Sequence, residues 1–274
     1  MSELVISGLF VYPIKSCAGT ALSEAQLTAT GLRNDRRWML VNEQERFITQ
    51  REQGRLALIT PTVVADGLHI NAPGMATLKV SGNSKTAPCS VSVWKDQCNA
   101  YDEGRDEASW FSDFLGEPVR LVRFADDQQR ISNREWTGDV DALNQFSDGF
   151  PILVISTASL ADLNARLATA LPMNRFRPNL VIDGLPAYGE DDVYEFSAGE
   201  VRLRIVKPCT RCKITTTNQA TGIAQGPEPL DTLRGYRLDK VLRGVTFGQN
   251  AIIAAGVGSR LQLGQSVTAK LRYS

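Results

Sequence analysis

The chain has 274 residues, of which 43% are hydrophobic and 22% are charged, a balance typical of a folded globular protein. Thirty Lys and Arg residues match thirty Asp and Glu residues, which argues against the strongly basic surface of a nucleic-acid binder. No apolar run approaches the ~18–20 residues of a membrane-spanning helix, and the start, Met-Ser-Glu, is not a secretory signal. We therefore expect a cytoplasmic protein with no nucleic-acid or membrane partner.

Short runs rich in β-branched and aromatic residues dominate the first hundred residues, with Gly- and Pro-containing turns between them. These runs predict strands at 4–11, 38–41, 56–64, 77–80 and 90–94. Even strand spacing with little helix between strands is typical of a β-barrel or a β-sandwich. The first helical signal follows at 108–115, where apolar residues recur at helical spacing.

The second half of the chain begins with a polar, charged stretch at 126–141, which predicts a long surface loop. A helix is predicted at 159–171, with Ser156 or Thr157 as its N-cap. Strands resume at 152–155, 180–182, 201–206, 213–217 and 250–255. The pattern predicts a mainly β fold with a few helices (α+β), in which a first barrel domain spans 1–100 and a second unit spans 101–274. We place the boundary between them within about residues 100–125.

The histidine and cysteine counts limit the chemistry that side chains alone can perform. The single histidine, His69, excludes catalytic triads and metal sites that need two histidines, and its position near a turn favours an ordinary structural residue. Five cysteines, an odd number without a signal peptide, do not indicate a disulfide framework. We expect reduced thiols, so any cysteine chemistry is redox or metal chemistry.

The sharpest local feature is the Cys-x-x-Cys pair formed by Cys209 and Cys212. A zinc tetrad would need a second close pair, whereas Cys89 and Cys98 have eight residues between them. An iron–sulfur cluster would need more clustered cysteines, and a thioredoxin-like dithiol would open a helix, whereas a β-branched run follows this pair. Two interpretations stay open: a single exposed thiolate beside three basic residues, or two inert core cysteines.

Two further regions carry side chains suited to an anion or another ligand. Lys15 and Ser16 lie in a turn after the first predicted strand, and Arg36 follows about twenty residues later. A lysine, a hydroxyl and an arginine fork can together hold a phosphate, although surface cations paired with Asp35 would give the same pattern. The segments at 146–151 and 174–180 place polar residues before buried strands, where a barrel mouth presents side chains to a ligand; the same residues are also ordinary turn formers.

Six motifs taken together resemble those of MOSC-domain proteins, and the resemblance runs from about Leu4 to the C-terminus. In chain order the motifs are Tyr12-Pro-Ile-Lys-Ser-Cys17, Asp35-Arg-Arg-Trp38, Phe146-Ser-Asp-Gly-Phe-Pro151, Phe176-Arg-Pro-Asn179, Pro208-Cys-Thr-Arg-Cys-Lys-Ile-Thr-Thr216 and Phe247-Gly-Gln-Asn250. The resemblance is to the molybdenum-cofactor enzymes related to the amidoxime-reducing component. It implies an N-terminal β-barrel domain followed by the MOSC β-barrel domain, with the molybdenum cofactor (Mo-molybdopterin) in the cleft between them.

The resemblance also implies roles for individual residues. Lys15, Ser16 and Arg36 match positions that hold the phosphate of the pterin. Cys212 matches the catalytic thiolate that ligates molybdenum, a metal that binds soft sulfur. The remaining matches to cofactor contacts are Asp148, Arg177, Asn179 and Thr210. Cys209 and the other three cysteines are assigned to ordinary structure.

The implied activity is the reduction of small N-hydroxylated compounds, such as amidoximes and N-hydroxylated nucleobases, by two-electron removal of oxygen at molybdenum. No cysteine follows Cys212, so we expect electrons from a separate donor, a ferredoxin-like protein or a flavin reductase, with 126–141 as a candidate docking edge. One alternative is a molybdenum-cofactor or sulfur carrier or transferase that uses a cysteine persulfide, because MOSC domains also occur fused to molybdenum-cofactor sulfurases. Another is a β-barrel binding module with no redox role.

Overall fold

The computed structural model describes residues 3–82 and 87–272, and this part of the chain is mainly β. Its strands are β1 (Leu4–Val11), β2 (Thr20–Ala21), β3 (Glu24–Thr28), β4 (Gly31–Leu32), β5 (Trp38–Val41), β6 (Thr60–Val64), β7 (Gly67–Asn71), β8 (Leu78–Ser81), β9 (Ala87–Val93), β10 (Asp96–Asp102), β11 (Arg120–Phe124), β12 (Ile152–Ser156), β13 (Leu180–Asp183), β14 (Val193–Ala198), β15 (Val201–Thr210), β16 (Leu238–Asp239), β17 (Gly244–Ala255), β18 (Arg260–Gln262) and β19 (Ser266–Leu271).

Short helices connect some of these strands. The α-helices are α1 (Arg105–Leu115), α2 (Arg134–Thr137), α3 (Thr157–Ala165) and α4 (Leu230–Arg234). Single turns of 3-10 helix occur at Gly54–Leu58, Met173–Arg175, Gly189–Asp191 and Lys213–Thr216. Across residues 3–82 and 87–272, no helix has the length and apolar character needed to cross a membrane.

Seven strands close into a barrel, in the order β12, β13, β1, β19, β14, β15 and β17, with β17 pairing back onto β12. An odd number of strands in a ring cannot alternate in direction throughout, so at least one neighbouring pair must be parallel. That pair is β12 and β13, and α3 lies in the crossover that a parallel connection requires. The closed ring confirms the predicted β-barrel.

The barrel is filled by alternate side chains of its strands. In β15, Val201, Leu203 and Ile205 are buried while the intervening Arg202 and Arg204 are partly exposed, the period-two pattern of a strand with one face on a core. Ile6 and Leu9 of β1 belong to the same buried cluster. Each such side chain stabilises the fold by about 1.5–3 kcal/mol relative to an exposed one.

The N-terminal half builds smaller sheets against the barrel. One four-stranded antiparallel sheet runs β5, β11, β10, β9, and a three-stranded meander runs β6, β7, β8. Helix α1 packs Phe111 and Phe114 into a cluster with Trp38 of β5. A separate cluster joins Phe146, just before the barrel, to Met39 of the same strand.

Several predicted elements differ from the structure. The loop predicted at 126–141 contains α2, because the Asn133 side chain caps this short helix by accepting from the Glu135 N–H at 3.0 Å. The strand predicted at 213–217 is a 3-10 turn, because the hydroxyls of Thr215 and Thr216 donate to carbonyls three residues back, at 2.9 and 2.8 Å. The strand predicted at 56–64 begins only at Thr60, after the 3-10 turn at Gly54–Leu58. The helix predicted at 159–171 ends at Ala165, because the Asn164 amide exchanges two hydrogen bonds with the backbone of Leu171.

Candidate functional site

Three strands of the barrel bring the predicted motifs to one end. β12 and β13 run parallel and both begin there, and β1 ends there because it is antiparallel to β13. The side wall continues through Asn250, which pairs with Leu153 on one side and Lys207 on the other. The segments after β1, before β12 and before β13 therefore meet the second half of β15.

These segments line one cleft of about 520 Å³. All of the side chains that the sequence predicts as site residues contribute to its lining, although they lie far apart in the chain. They are Lys15, Ser16, Arg36, Asp148, Arg177, Asn179, Thr210 and Cys212. The structure thus brings the whole predicted set together, while the role of each as a cofactor contact stays a prediction.

The lining of the cleft is strongly positive although the chain as a whole is neutral. Six cationic side chains meet a single carboxylate, that of Asp148. The cations are Lys15, Arg36, Arg51, Arg177, Lys207 and Arg211. Such a concentration of one charge within a concave site favours a ligand that carries several negative charges, such as a phosphate ester.

The Lys15 side chain is the more deeply buried partner of the ion pair that it forms with Asp148 in the cleft. Its side chain is 6% exposed, whereas that of its partner Asp148 is 61% exposed. Nζ donates to the Phe146 carbonyl at 2.8 Å and to Asp148 Oδ1 at 2.6 Å. An ammonium group has three hydrogens, so one remains for a ligand beyond these two contacts within the described chain.

The Lys15–Asp148 pair shifts both pKa values. Burial lowers the pKa of Lys15, and the nearby carboxylate offsets part of that effect. For Asp148, desolvation acts to raise the pKa, but the charge of Lys15 and its hydrogen bond, together with Arg51, hold that pKa well below its usual range. Asp148 is therefore ionised at neutral pH.

Two arginines are stacked on the ring of Tyr12. The guanidinium carbons of Arg36 and Arg177 lie 4.3 and 4.2 Å from the ring centroid. Arg36 also donates to Asn179 Oδ1 at 3.0 Å, and Arg177 donates to the Cys17 carbonyl at 2.7 Å. Burial lowers the pKa of Arg177 to about 10, which leaves it charged at neutral pH.

Asn179 ties the segments of the cleft to one another. Its Oδ1 accepts from the Leu153 backbone N–H at 3.1 Å, and its Nδ2 donates to the Phe10 carbonyl at 3.2 Å. Together with the bond from Arg36, these contacts join the end of β1 to the starts of β12 and β13. Asn179 is therefore a structural clamp of the cleft in this structure.

Backbone strain is concentrated in the cleft. Of the eight described non-glycine residues with positive φ, four line the cleft: Ser16, Arg36, Trp94 and Arg177. Their φ values are 66, 49, 56 and 56°. A side chain in this region costs about 1–3 kcal/mol and persists only where the surroundings fix it, which is typical of functional sites.

The cysteine pair also lines the cleft, and both thiols are free and partly buried. Arg211 between them donates from Nη1 to Cys209 Sγ at 3.0 Å and from Nη2 to the Phe176 carbonyl at 2.6 Å. Its Nε is buried and has no hydrogen-bond partner among the described residues. Cys212 caps the 3-10 turn at Lys213–Thr216, and its carbonyl accepts the bond from Thr215.

Comparison with known proteins agrees with this arrangement. The sequence model of the MOSC N-terminal beta barrel domain matches residues 3–118, and that of the MOSC domain matches residues 141–268. Mitochondrial amidoxime-reducing component 1 of Mus musculus is 39% identical over 244 residues, which are 85% of this chain and 71% of the relative. The Homo sapiens component 1 is 38% identical and the Bos taurus component 2 is 36% identical, each over 85% of this chain and 72% of the relative.

The chain belongs to the MOSC-domain family that includes the amidoxime-reducing components. The resemblance drawn from the six motifs is thereby confirmed, as is the pairing of an N-terminal MOSC barrel domain with a MOSC domain. The strand β11 and the loop at 126–140 lie between the two matched regions.

Some residues of the MOSC cleft were not predicted from the sequence. Arg51 and Trp94 both line it, but neither belongs to a motif. The signal for Trp94 was available only from the strand pairing, since Val93 pairs with Asp96 and leaves Trp94 and Lys95 as a two-residue turn. A tryptophan at such a turn is unusual.

Proposed function

We propose that this MOSC-domain protein is a molybdenum-cofactor-dependent oxidoreductase that reduces small N-hydroxylated compounds, amidoximes and N-hydroxylated nucleobases among them. The observation that carries the proposal is the single cleft in which six cationic side chains lie together with the Cys212 thiol. The names of the relatives, which call them amidoxime-reducing, support the choice of substrate class.

The described residues fit the molybdenum cofactor in three respects. The cleft volume of about 520 Å³ falls within the range of small-molecule sites, roughly 300–1,000 Å³. The third ammonium hydrogen of Lys15 and the unpartnered Nε of Arg211 suit an anionic ligand. Cys212 lines the cleft with a free thiol and would supply a soft sulfur ligand, while the pterin dithiolene would supply others.

In this proposal each side chain binds, orients or balances charge. Lys15, Ser16 and Arg36 hold the phosphate, while Arg177 and Thr210 contact the remainder of the cofactor. Asn179 fixes Arg36 through the 3.0 Å bond between them. Asp148 stays ionised because of its depressed pKa, so it keeps Lys15 charged and is not the source of the protons that the reaction consumes.

When bound, the cofactor supplies the two-electron redox chemistry. In the overall reaction, an N–OH group takes up two electrons and two protons, and the products are an N–H group and one molecule of water. Because this uses an external reductant, a separate ferredoxin-like or flavin-containing donor protein is part of the proposal. Location in the cytoplasm stays a prediction, and the relatives named above are described as mitochondrial.

The segment at 126–141 lies beside the cleft and is the proposed docking surface for the electron donor. Lys207, which lines the cleft, places its ammonium 5.0 Å from the ring centroid of Trp136, which lies in α2 within that segment. Asp127 and Asp139 are exposed on the same loop. A donor with a basic face would be attracted to this edge, and long-range charge attraction speeds encounter.

The experiment combines metal analysis with a Cys212→Ser variant. Protein made in cofactor-competent cells is expected to contain about one molybdenum per chain and to reduce benzamidoxime with a chemically reduced viologen dye as donor. Cys212→Ser should lose turnover by more than about a hundredfold, because an alcohol is a far poorer ligand than a thiolate for a soft metal. Cys89→Ser, outside the cleft, is the matched control.

Other outcomes would contradict the proposal. Wild-type protein without molybdenum from competent cells, or a Cys212→Ser variant with normal turnover, would exclude this function. A persulfide label on Cys212 without any reductase turnover would instead indicate the sulfur carrier.

A further inference from the structure

A second cavity, of about 380 Å³, opens beside the cleft. The two share three lining residues, Thr49, Arg51 and Trp94. The other walls of this outer cavity are Arg46, Phe47, Glu52, Ser92 and Lys95. The outer cavity therefore adjoins the proposed reaction site but contains none of the predicted cofactor contacts.

Trp94 stands at the boundary of the two cavities in a conformation that its local sequence does not favour. It occupies the first position of the two-residue turn between β9 and β10, with φ 56°, where glycine, asparagine or aspartate is the usual residue. Its side chain is also 51% exposed. Neither turn preference nor burial accounts for a large aromatic residue here, and such local conflicts are expected where function has selected the residue.

The surroundings fix the indole ring in place. Trp94 Nε1 donates to Asp148 Oδ1 at 3.2 Å, and the Arg51 guanidinium carbon lies 4.8 Å from the ring centroid. The ring of Phe47 meets it edge-on, with centroids 5.0 Å apart and planes at 69°. A rigid aromatic ring with about half its surface uncovered is a preformed stacking surface.

The charges of the outer cavity narrow the class of ligand. Arg46, Arg51 and Lys95 contribute three positive charges against the one carboxylate of Glu52. A cationic ligand is therefore disfavoured, and a neutral or anionic one is favoured. A cavity of about 150 Å³ is enough for benzene, so 380 Å³ has room for a substituted aryl ring or a bicyclic base.

We infer that Trp94 and Arg51 form a stacking subsite for the planar ring of a neutral or anionic N-hydroxylated aromatic substrate. The ring lies in the outer cavity, and the N–OH group extends into the cleft. The inference rests on the proposed function for its substrate class, but binding of the ring depends only on these residues. Asp148 couples the subsite to the cleft, because the same carboxylate oxygen accepts bonds from Trp94 and from Lys15.

The kinetic test compares Trp94→Ala with Trp94→Phe. Loss of the ring in Trp94→Ala should raise KM for benzamidoxime about tenfold, within the range that aromatic stacking contributes, and leave kcat within about twofold. KM for acetamidoxime, which has no ring, should change by less than about twofold in the same variant. Trp94→Phe keeps a ring without the Nε1–H donor and should stay close to wild type, which separates stacking from the bond to Asp148.

The second readout requires neither cofactor nor turnover. Benzamidoxime should quench the tryptophan fluorescence of the wild-type protein saturably, and acetamidoxime should not. Trp110→Phe, in α1 and outside both cavities, should keep the quenching, while Trp94→Phe should lose it. Trp110 packs against Phe111 and Phe114 instead.

The other possible results of these two experiments either overturn or support the stacking subsite. Equal KM increases for both substrates, a loss confined to kcat, or a parallel fall in molybdenum content in Trp94→Ala would overturn the subsite, since Trp94 would then act through Asp148. Normal turnover without saturable quenching would overturn it as well. Saturable, Trp94-dependent quenching in a protein that reduces no N-hydroxylated compound would support the subsite and refute the proposed function.

Discussion

The contact between Lys15 and Asp148 joins a buried ammonium to an exposed carboxylate. Because the two side chains differ in burial, the consequences of removing either one differ. Without the carboxylate, the ammonium would keep its desolvation penalty and lose the charge that offsets it. Without the ammonium, the carboxylate would remain largely in contact with water.

We predict that Asp148→Asn lowers the free energy of unfolding by about 1–2 kcal/mol, less than for a fully buried pair because Asp148 is solvent-exposed. The depressed pKa of Asp148 stabilises the fold above the ordinary carboxyl pKa of about 4. That contribution is lost as the pH falls below about 4. Urea unfolding of the wild type and of Asp148→Asn from pH 7 to pH 3 should therefore show a difference in the free energy of unfolding that becomes smaller only below about pH 4.

Asp141→Asn is the control for this measurement. Asp141 pairs with Arg134 at 2.5 Å, but both side chains are more than half exposed, so its loss should change stability by less than about 0.5 kcal/mol. A difference for Asp148→Asn that is equally small at pH 7, or that grows toward pH 3, would contradict the assigned coupling.

Cys209→Ala should keep most of the activity. Cys209 accepts a bond from Arg211 Nη1, but the guanidinium remains anchored by its 2.6 Å bond to the Phe176 carbonyl. Molybdenum content should be unchanged and kcat should fall by no more than about threefold, equivalent to the loss of one weak hydrogen bond. An inactive Cys209→Ala variant that still binds molybdenum would show that the second thiol takes part in the reaction.

At the scale of elements, sequence patterns predicted strands well where strand propensity had no competing local interaction. β1 and β5 have the predicted bounds, because each is a short apolar run rich in β-branched or aromatic residues and flanked by polar residues. The run at 213–217 has the same β-branched composition, yet its threonine hydroxyls bond to local carbonyls and turn the chain. Strand propensity could not reveal these hydrogen bonds, because the carbonyl that each hydroxyl reaches depends on the conformation of the backbone.

The residues of the cleft likewise divide into those that the sequence predicted and those that it did not. Lys15, Arg36 and Cys212 were found because they lie in motifs that resemble those of MOSC-domain proteins, whereas their residue types alone left a surface or core role open. Arg51 and Trp94 were missed because their importance comes from the β9–β10 pairing and from the shared contact with Asp148. No local pattern records a contact between residues more than fifty positions apart.

The 3-10 turn after Cys212 gives a prediction at this scale. Thr215→Val removes the hydroxyl that donates to the Cys212 carbonyl at 2.9 Å and replaces it with a residue that favours strands. We expect a loss of about 1 kcal/mol in the free energy of unfolding and a lower molybdenum content. Thr62→Val, at an exposed position of β6, should change neither quantity, and equal effects at both sites would refute the role of the turn.

At the scale of the whole molecule, the acidic segment at 126–141 beside the cleft predicts how the proposed electron donor would be selected. Replacing Asp127 and Asp139 together by lysine should raise KM for a protein donor with a basic face by about tenfold and flatten its salt dependence. Turnover with a small viologen donor should be unaffected, since it needs no docking surface. Asp66 and Asp113, exposed elsewhere on the surface, provide the matched double control.

Identical donor kinetics for the two double variants would place docking elsewhere. An improved KM for the Asp127 and Asp139 double variant would instead indicate an acidic donor face.

The ring of seven strands includes β1, whose partners Val267 and Ser266 lie more than 250 positions away from Leu4 and Val5. During synthesis, β1 must therefore wait for β19, the last strand of the described residues, before both its edges are paired. Contacts so distant in sequence slow folding, and an unpaired edge invites association with other chains. A fragment that begins after β1 would hold a barrel with an open seam, and a synthetic peptide with the sequence of β1, added in trans, is expected to fill that seam.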